Sequence, residues 1–214
     1  MKIIKITASD LDKDNFYKKE EIGTYNNYED VSVEIAENLG WVIFKKGIYV
    51  NGKIVAEVGS GIKAGSGIEA GWSIKAGSGI KAGWSITAGE GIKAGSGIKA
   101  GWSIKAGEGI EAGEGIEAGS GIEAGWSIKA GEGITSLYSW VKAKLSINFN
   151  SSCTLSAGIF SLSGEQEIKA QEINGGKVIY GKVNLLPKPE QETSLKGKEV
   201  KVKLDGKTYK AIIQ

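Results

Sequence analysis

Asp10, Asp12, Asp14 and Glu21 are the residues of this 214-residue chain whose spacing comes closest to a known chemistry. Carboxylates at the first, third and fifth positions, with a glutamate at the twelfth counted from Asp10, are the pattern that wraps a calcium ion. Asn15 stands where such a loop carries glycine, and Lys18 and Lys19 add positive charge. The run before the loop, Ile3 to Thr7, reads as a strand, whereas a calcium loop follows a helix. A solvated turn is therefore the simpler account, with calcium as the ligand if the loop binds one.

Other chemistry is limited by what is missing. The chain has no His and no Arg, so it lacks an imidazole base, a His metal ligand, a Ser/His or Cys/His nucleophile pair and any bidentate fork for phosphate or guanine. Cys153, the single cysteine, cannot form an internal disulfide and sits in a strand-like run as a small apolar residue. Glu111 and Glu117 are carboxylates without an evident acid–base partner. These residues predict a protein that is not an enzyme and needs no cofactor.

Four tryptophans offer the remaining recognition chemistry, and their spacing leads to the elements that carry them. Trp72, Trp84, Trp102 and Trp126 all occupy the fifth position of a six-residue unit, Ile, Lys/Glu/Thr, Ala, Gly, Ser/Glu/Trp, Gly/Ser. Ile recurs without a break from Ile62 to Ile134, thirteen times at a spacing of six. A helix cannot place residues six apart on one face, and two Gly per unit would cost it roughly 2 kcal/mol against Ala. In a strand, Ile and the Ala two residues on share one face, and the Lys or Glu between them faces out. Gly then permits a bend at the end of each short strand.

Strands that turn by a fixed angle wind into a parallel β-helix with Ile stacked on Ile. Three units per coil give fifth-position columns in which four of nine vertical neighbours match; two units per coil match two of ten. The triangular eighteen-residue coil is therefore predicted, with Trp84 directly above Trp102. Val42, Ile48 and Ile54 extend the phase upstream, with a two-residue bulge at Glu57-Val58. The expectation is an all-β fold: an N-terminal cap at 1–41, a triangular solenoid of about five coils at 42–135, and a C-terminal β cap at 136–186. That cap is read as longer antiparallel strands (Leu145, Ile147, Phe149; Leu155, Ala157, Ile159). A linker and a hairpin turning at Asp205-Gly206 fill 187–214.

The hexads resemble the hexapeptide-repeat left-handed β-helix of acyltransferases and the right-handed triangular helix of the polymer-forming bactofilins, over about 42 to 135. The acyltransferases carry a small inward residue two before the aliphatic, whereas here Ala comes two after Ile, and their catalytic His has no counterpart; a transferase is disfavoured on that ground. The bactofilin resemblance implies a self-associating rod. The Ile-Lys/Glu-Ala-Gly arrays are also similar to uncharacterised proteins of phages and mobile elements, which implies an inhibitor that occludes a host defence complex in the manner of anti-CRISPR proteins.

The expected function is that of a non-catalytic protein-binding module, monomeric or dimeric, whose surface comprises Trp72, Trp84, Trp102 and Trp126, with Lys75, Lys81 and Lys105 steering an acidic partner. The partner is a protein or a nucleoprotein complex. The indoles could instead cover coil corners or stack on sugars. Charge is segregated along the repeat: residues 62–107 hold six Lys and two Glu, and 108–135 one Lys and six Glu. Lys201 and Lys203 lie in a basic tail, but without Arg a direct nucleic-acid contact is not expected. No apolar run is long enough for a membrane span and Asp10 interrupts any leader, so a cytoplasmic protein is expected.

Overall fold

The computed structural model describes residues 1–19, 22–157, 159 and 167–188, and the backbone of the strands Glu199–Leu204 and Lys207–Ile212. The hexads form three-residue strands, Ile68–Ala70 or Ile98–Ala100 for example, that alternate among three parallel sheets of nine, eight and eight strands. We number the faces in the order the chain visits them after Val31. Face 1 begins with Lys2–Ile6 and Val31–Ile35, face 2 with Gly40–Phe44, and face 3 with Ile48–Val50. Each hexad pairs with the one eighteen residues away, as in Ile62↔Ile80↔Ile98↔Ile116↔Ile134, so the three-unit coil is correct.

The repeat isoleucines are at most 1 % exposed and the third-position alanines at most 5 %. Burying one Ile contributes about 1.5–3 kcal/mol, and stacked columns do so in every coil. The fourth-position Gly has a reason different from the expected bend: none in the hexads has a positive φ. A Cβ on Gly95 would instead lie 2.0 Å from the carbonyl oxygen of Gly77 in the preceding coil. In the middle of the rod the sixth position is looser: a Cβ on Gly91, Gly97, Gly109 or Gly115 would lie 3.3–3.6 Å from its nearest neighbour, room that matches the Ser found at sixth positions such as Ser85 and Ser103.

The solenoid is longer than the regular hexads. It has about eight coils, not five, running from Val31 to Leu185, or about 38 Å at 4.8 Å per coil. The expected antiparallel cap is corrected to parallel rungs: Val141 stacks on Ile122, Ile147 on Ile128, Leu155 on Ile134 and Ile168 on Val141. Leu145 faces out while Ile147 and Phe149 are buried. The bulge at Glu57-Val58 is a corner turn through Gly59, φ +75°, matched one coil earlier by the turn through Asn38 and Gly40.

Residues 1–19 and 22–30 complete an irregular rung over the first coil. Lys2–Ile6 pairs with Val31–Ile35, Phe16 bridges to Ile43, Ile22 to Ile48 and Glu29 to Val50. The hairpin after the linker is present, Glu199–Leu204 against Lys207–Ile212 in antiparallel register; its turn, Asp205-Gly206, lies outside the described residues. Among the described residues no helix is long and apolar enough to cross a membrane.

Candidate binding cleft

The fixed coil places fifth-position residues in columns along the three edges. Trp84 and Trp102 share the edge between faces 2 and 3, where the Trp102 N–H donates to the Trp84 carbonyl at 3.0 Å. Their indoles stack with centroids 5.9 Å apart and planes within 14°. Both remain about half exposed, Trp84 at 49 % and Trp102 at 61 %. Trp72 and Trp126 lie on a different edge, in one column with Glu90 and Glu108 between them.

Opposite the stacked pair stands a segment that sequence reasoning did not single out. Thr24 and Asn27 close a tight turn by reciprocal backbone bonds of 2.9 Å, with Asn26 at φ 68°. This turn carries Tyr25 and Tyr28. Both rings meet buried Tyr49 edge-on, at centroid distances of 6.3 and 6.2 Å. Tyr49 is held in turn: its N–H donates to the Ile22 carbonyl at 2.7 Å, and its hydroxyl accepts the Gly67 N–H at 3.2 Å.

The two aromatic pairs enclose a cleft of about 540 Å³, lined also by Ser85, Thr87 and Glu69. The Ser85 and Ser103 hydroxyls lie 3.1 Å apart along the same edge. The Tyr28 hydroxyl donates to the Glu69 carboxylate. Burial, and then that carboxylate, push the Tyr28 phenol up to about 12, so the donor keeps its proton at neutral pH.

Glu69 differs from the other outward glutamates at the second position of the repeat. Glu111 meets Lys93 at 2.9 Å and Lys129 at 3.5 Å, Glu117 meets Lys99 at 2.7 Å, and Glu123 meets Lys105 at 3.8 Å. These contacts stitch the Lys-rich half of the rod to the Glu-rich half on all three faces. In register with Glu69 stand Tyr49 on one side and Thr87 on the other, and among the described residues no lysine forms an ion pair with it. Two signals in the sequence could have marked this cleft: an Asn-Asn pair bracketed by Tyr25 and Tyr28, and a lone second-position glutamate among lysines.

The lysines singled out from the sequence fall on three different faces. Lys75 stacks with Lys93 on face 1, Lys81 between Lys63 and Lys99 on face 2, and Lys105 on face 3 beside Thr87. Along face 2 lies a groove of about 480 Å³ floored by Gly79, Gly97, Gly115 and Gly133. Trp41 closes one end of it, its indole resting against Gly61 and Gly79.

The Asp-rich loop is a hairpin in which Leu11 pairs with Tyr17 and Asn15, φ 64°, supplies the left-handed turn residue. Asp10 accepts the Thr7 N–H and hydroxyl at 2.9 Å, and the backbone bond foremost holds its carboxyl below the usual range. The Asp12 carboxylate accepts the N–H groups of Asp14 and Phe16, both at 2.9 Å. Glu21 lies outside the described residues, and among those described no three acidic or sulfur side chains converge as a metal site. Cys153 is half-buried against the core.

No protein-family model, curated protein or solved structure matches this chain.

Proposed function

We propose that the protein is a non-catalytic binding module that grips a protein partner through the cleft between Trp84, Trp102, Tyr25 and Tyr28. The observation that carries this reading is the stacked, half-exposed indole pair faced by two tyrosines across an open volume. Both pairs stand on hydrogen-bonded backbone: the indoles on consecutive rungs, and the tyrosines on a turn whose rings pack against Tyr49. Rigid aromatics give large contact area at small entropic cost and dominate the energetics of protein interfaces. The Asp10, Glu111 and Glu167 carboxyls are all held below their usual range, which fits structural acids rather than proton donors.

The test compares affinity capture from a host lysate by the wild-type chain and by the Trp84→Ser/Trp102→Ser double variant. Ser66 and Ser120 occupy the same column, so the repeat already accepts Ser there and the urea midpoint is expected to stay nearly unchanged. A partner held by the wild type and weakened at least about thirtyfold by the double variant, roughly 2 kcal/mol, supports the reading. Equal capture by both overturns it.

A further inference from the structure

We infer that this cleft accepts a cation: an arginine or methylated lysine side chain presented by the partner. The inference rests on the binding reading above and specifies its chemistry. Among the described residues Glu69 is the only charged one lining the cleft, and its position in the register explains why none of them pairs with it as a cation. Each other second-position glutamate of the repeat has a lysine one coil away, whereas Glu69 has Tyr49 and Thr87. Lys105, one rung beyond Thr87, has its amine 3.8 Å from Glu123. The rod thus supplies a counter-ion to three carboxylates of the same repeat position and leaves the fourth to something else.

The surroundings select the sign and the kind of that counter-ion. Four aromatic rings attract a cation through their quadrupoles and are indifferent or repulsive to an anion. The Tyr28 hydroxyl, donating to one Glu69 oxygen, fixes the carboxylate beside those rings, and the second oxygen has no bond among the described residues. A guanidinium or a substituted ammonium sheds water more readily than a metal ion and fits an opening of about 540 Å³. A neutral sugar would use the rings and hydroxyls but would gain nothing from the charge of Glu69.

The experiment follows the indole N–H signals of Trp84 and Trp102 by nuclear magnetic resonance on the full chain. The probes are acetyl-Gly-Arg-Gly-amide, the same peptide with trimethyllysine, its neutral tert-butyl isostere, and cellobiose. The expected result is saturable shifts of those two indoles with one or both cationic peptides, and binding about tenfold weaker for the neutral isostere. Glu69→Gln, which keeps an acceptor for Tyr28, weakens the cationic peptide about tenfold without moving the urea midpoint, as expected for loss of one charge-assisted contact. Trp72→Ser leaves binding unchanged.

Equal affinity for cation and isostere, a Glu69→Gln variant that binds the cations as before, shifts with cellobiose alone, or no shift with either cation would each overturn the inference. The two readings fail separately. Partner capture lost in Trp84→Ser/Trp102→Ser but intact in Glu69→Gln keeps the binding reading and rejects the cation; capture intact in both rejects both.

Discussion

Two glycines on one corner, Gly95 and Gly97, flank Ser96 and put opposite demands on the chain. An Ala at 95 would place its Cβ 2.0 Å from the Gly77 carbonyl oxygen and 3.0 Å from its carbon, 1.4 Å short of an ordinary 3.4 Å contact. The coils can open by that amount only by stretching the bonds from the Gly95 N–H to the Ala76 carbonyl, 3.0 Å, and from the Ser96 N–H to the Ser78 carbonyl, 3.2 Å, past hydrogen-bonding range. Losing two backbone bonds costs about 2–6 kcal/mol, offset by the roughly 0.5–1 kcal/mol that Gly→Ala gains from a less flexible unfolded chain. An Ala at 97 meets the Gly115 carbonyl oxygen at 3.3 Å and needs a shift of about 0.1 Å, so the same unfolded-state gain leaves it within about 1 kcal/mol of wild type. Urea denaturation followed by circular dichroism reads the difference: Gly95→Ala lowers the midpoint by about 1–2 M, and Gly97→Ala leaves it nearly in place. Equal losses for the two variants, or a larger one for Gly97→Ala, would show that close approach between coils is not what keeps the fourth position as glycine.

The other predictions concern the core and the charged rungs. Ile98→Asp buries a charge at a site 1 % exposed and among apolar neighbours; it costs several kcal/mol and removes the cooperative urea transition or moves it far downward. The Glu111 carboxyl is held below its ordinary 4.5, first by the hydrogen bond from Lys93 and also by Lys129. A depressed carboxyl stabilises the fold above its unfolded pKa and ceases to do so as pH falls through the folded one, so the Glu111→Gln deficit is full at pH 7 and disappears below that range. With the side chain 41 % exposed, solvent screening limits that deficit to about 0–1 kcal/mol. Urea midpoints of the two proteins at pH 7 and pH 3 check the sign, and 1 M salt should shrink the gap at pH 7.

The coil itself was readable from residue spacing because its unit is covalent. Six residues carry one strand and one corner, so Ile62 to Ile134 announces the columns, and the match among fifth-position residues puts Trp84 over Trp102 before any coordinate is known. The coil number was not readable in this way. From Ile122 to Val141 the step is 19 residues, from Ile134 to Leu155 it is 21, and from Val141 to Ile168 it is 27. A rung needs only an inward apolar residue and backbone partners below it, and the corners between rungs can lengthen at small entropic cost, so the architecture continues after the period has dissolved.

The cleft divides along the same line. Its indole wall follows from the repeat, but its tyrosine wall comes from Thr24–Asn27, some 60 residues earlier than Trp84, and no local pattern states which rung that turn will cover. Only the pairing of Ile22 with Ile48 and Glu29 with Val50 sets Tyr25 and Tyr28 above Tyr49 and Glu69. The split of Lys75, Lys81 and Lys105 among three faces, and the pairing of every second-position glutamate except Glu69, likewise depend on which residues lie eighteen apart. Spacing in the sequence decides which side chains point inward, because alternation along a strand is a property of the chain; which outward side chains meet is decided by coil-to-coil hydrogen bonds, which form only when the rod is wound.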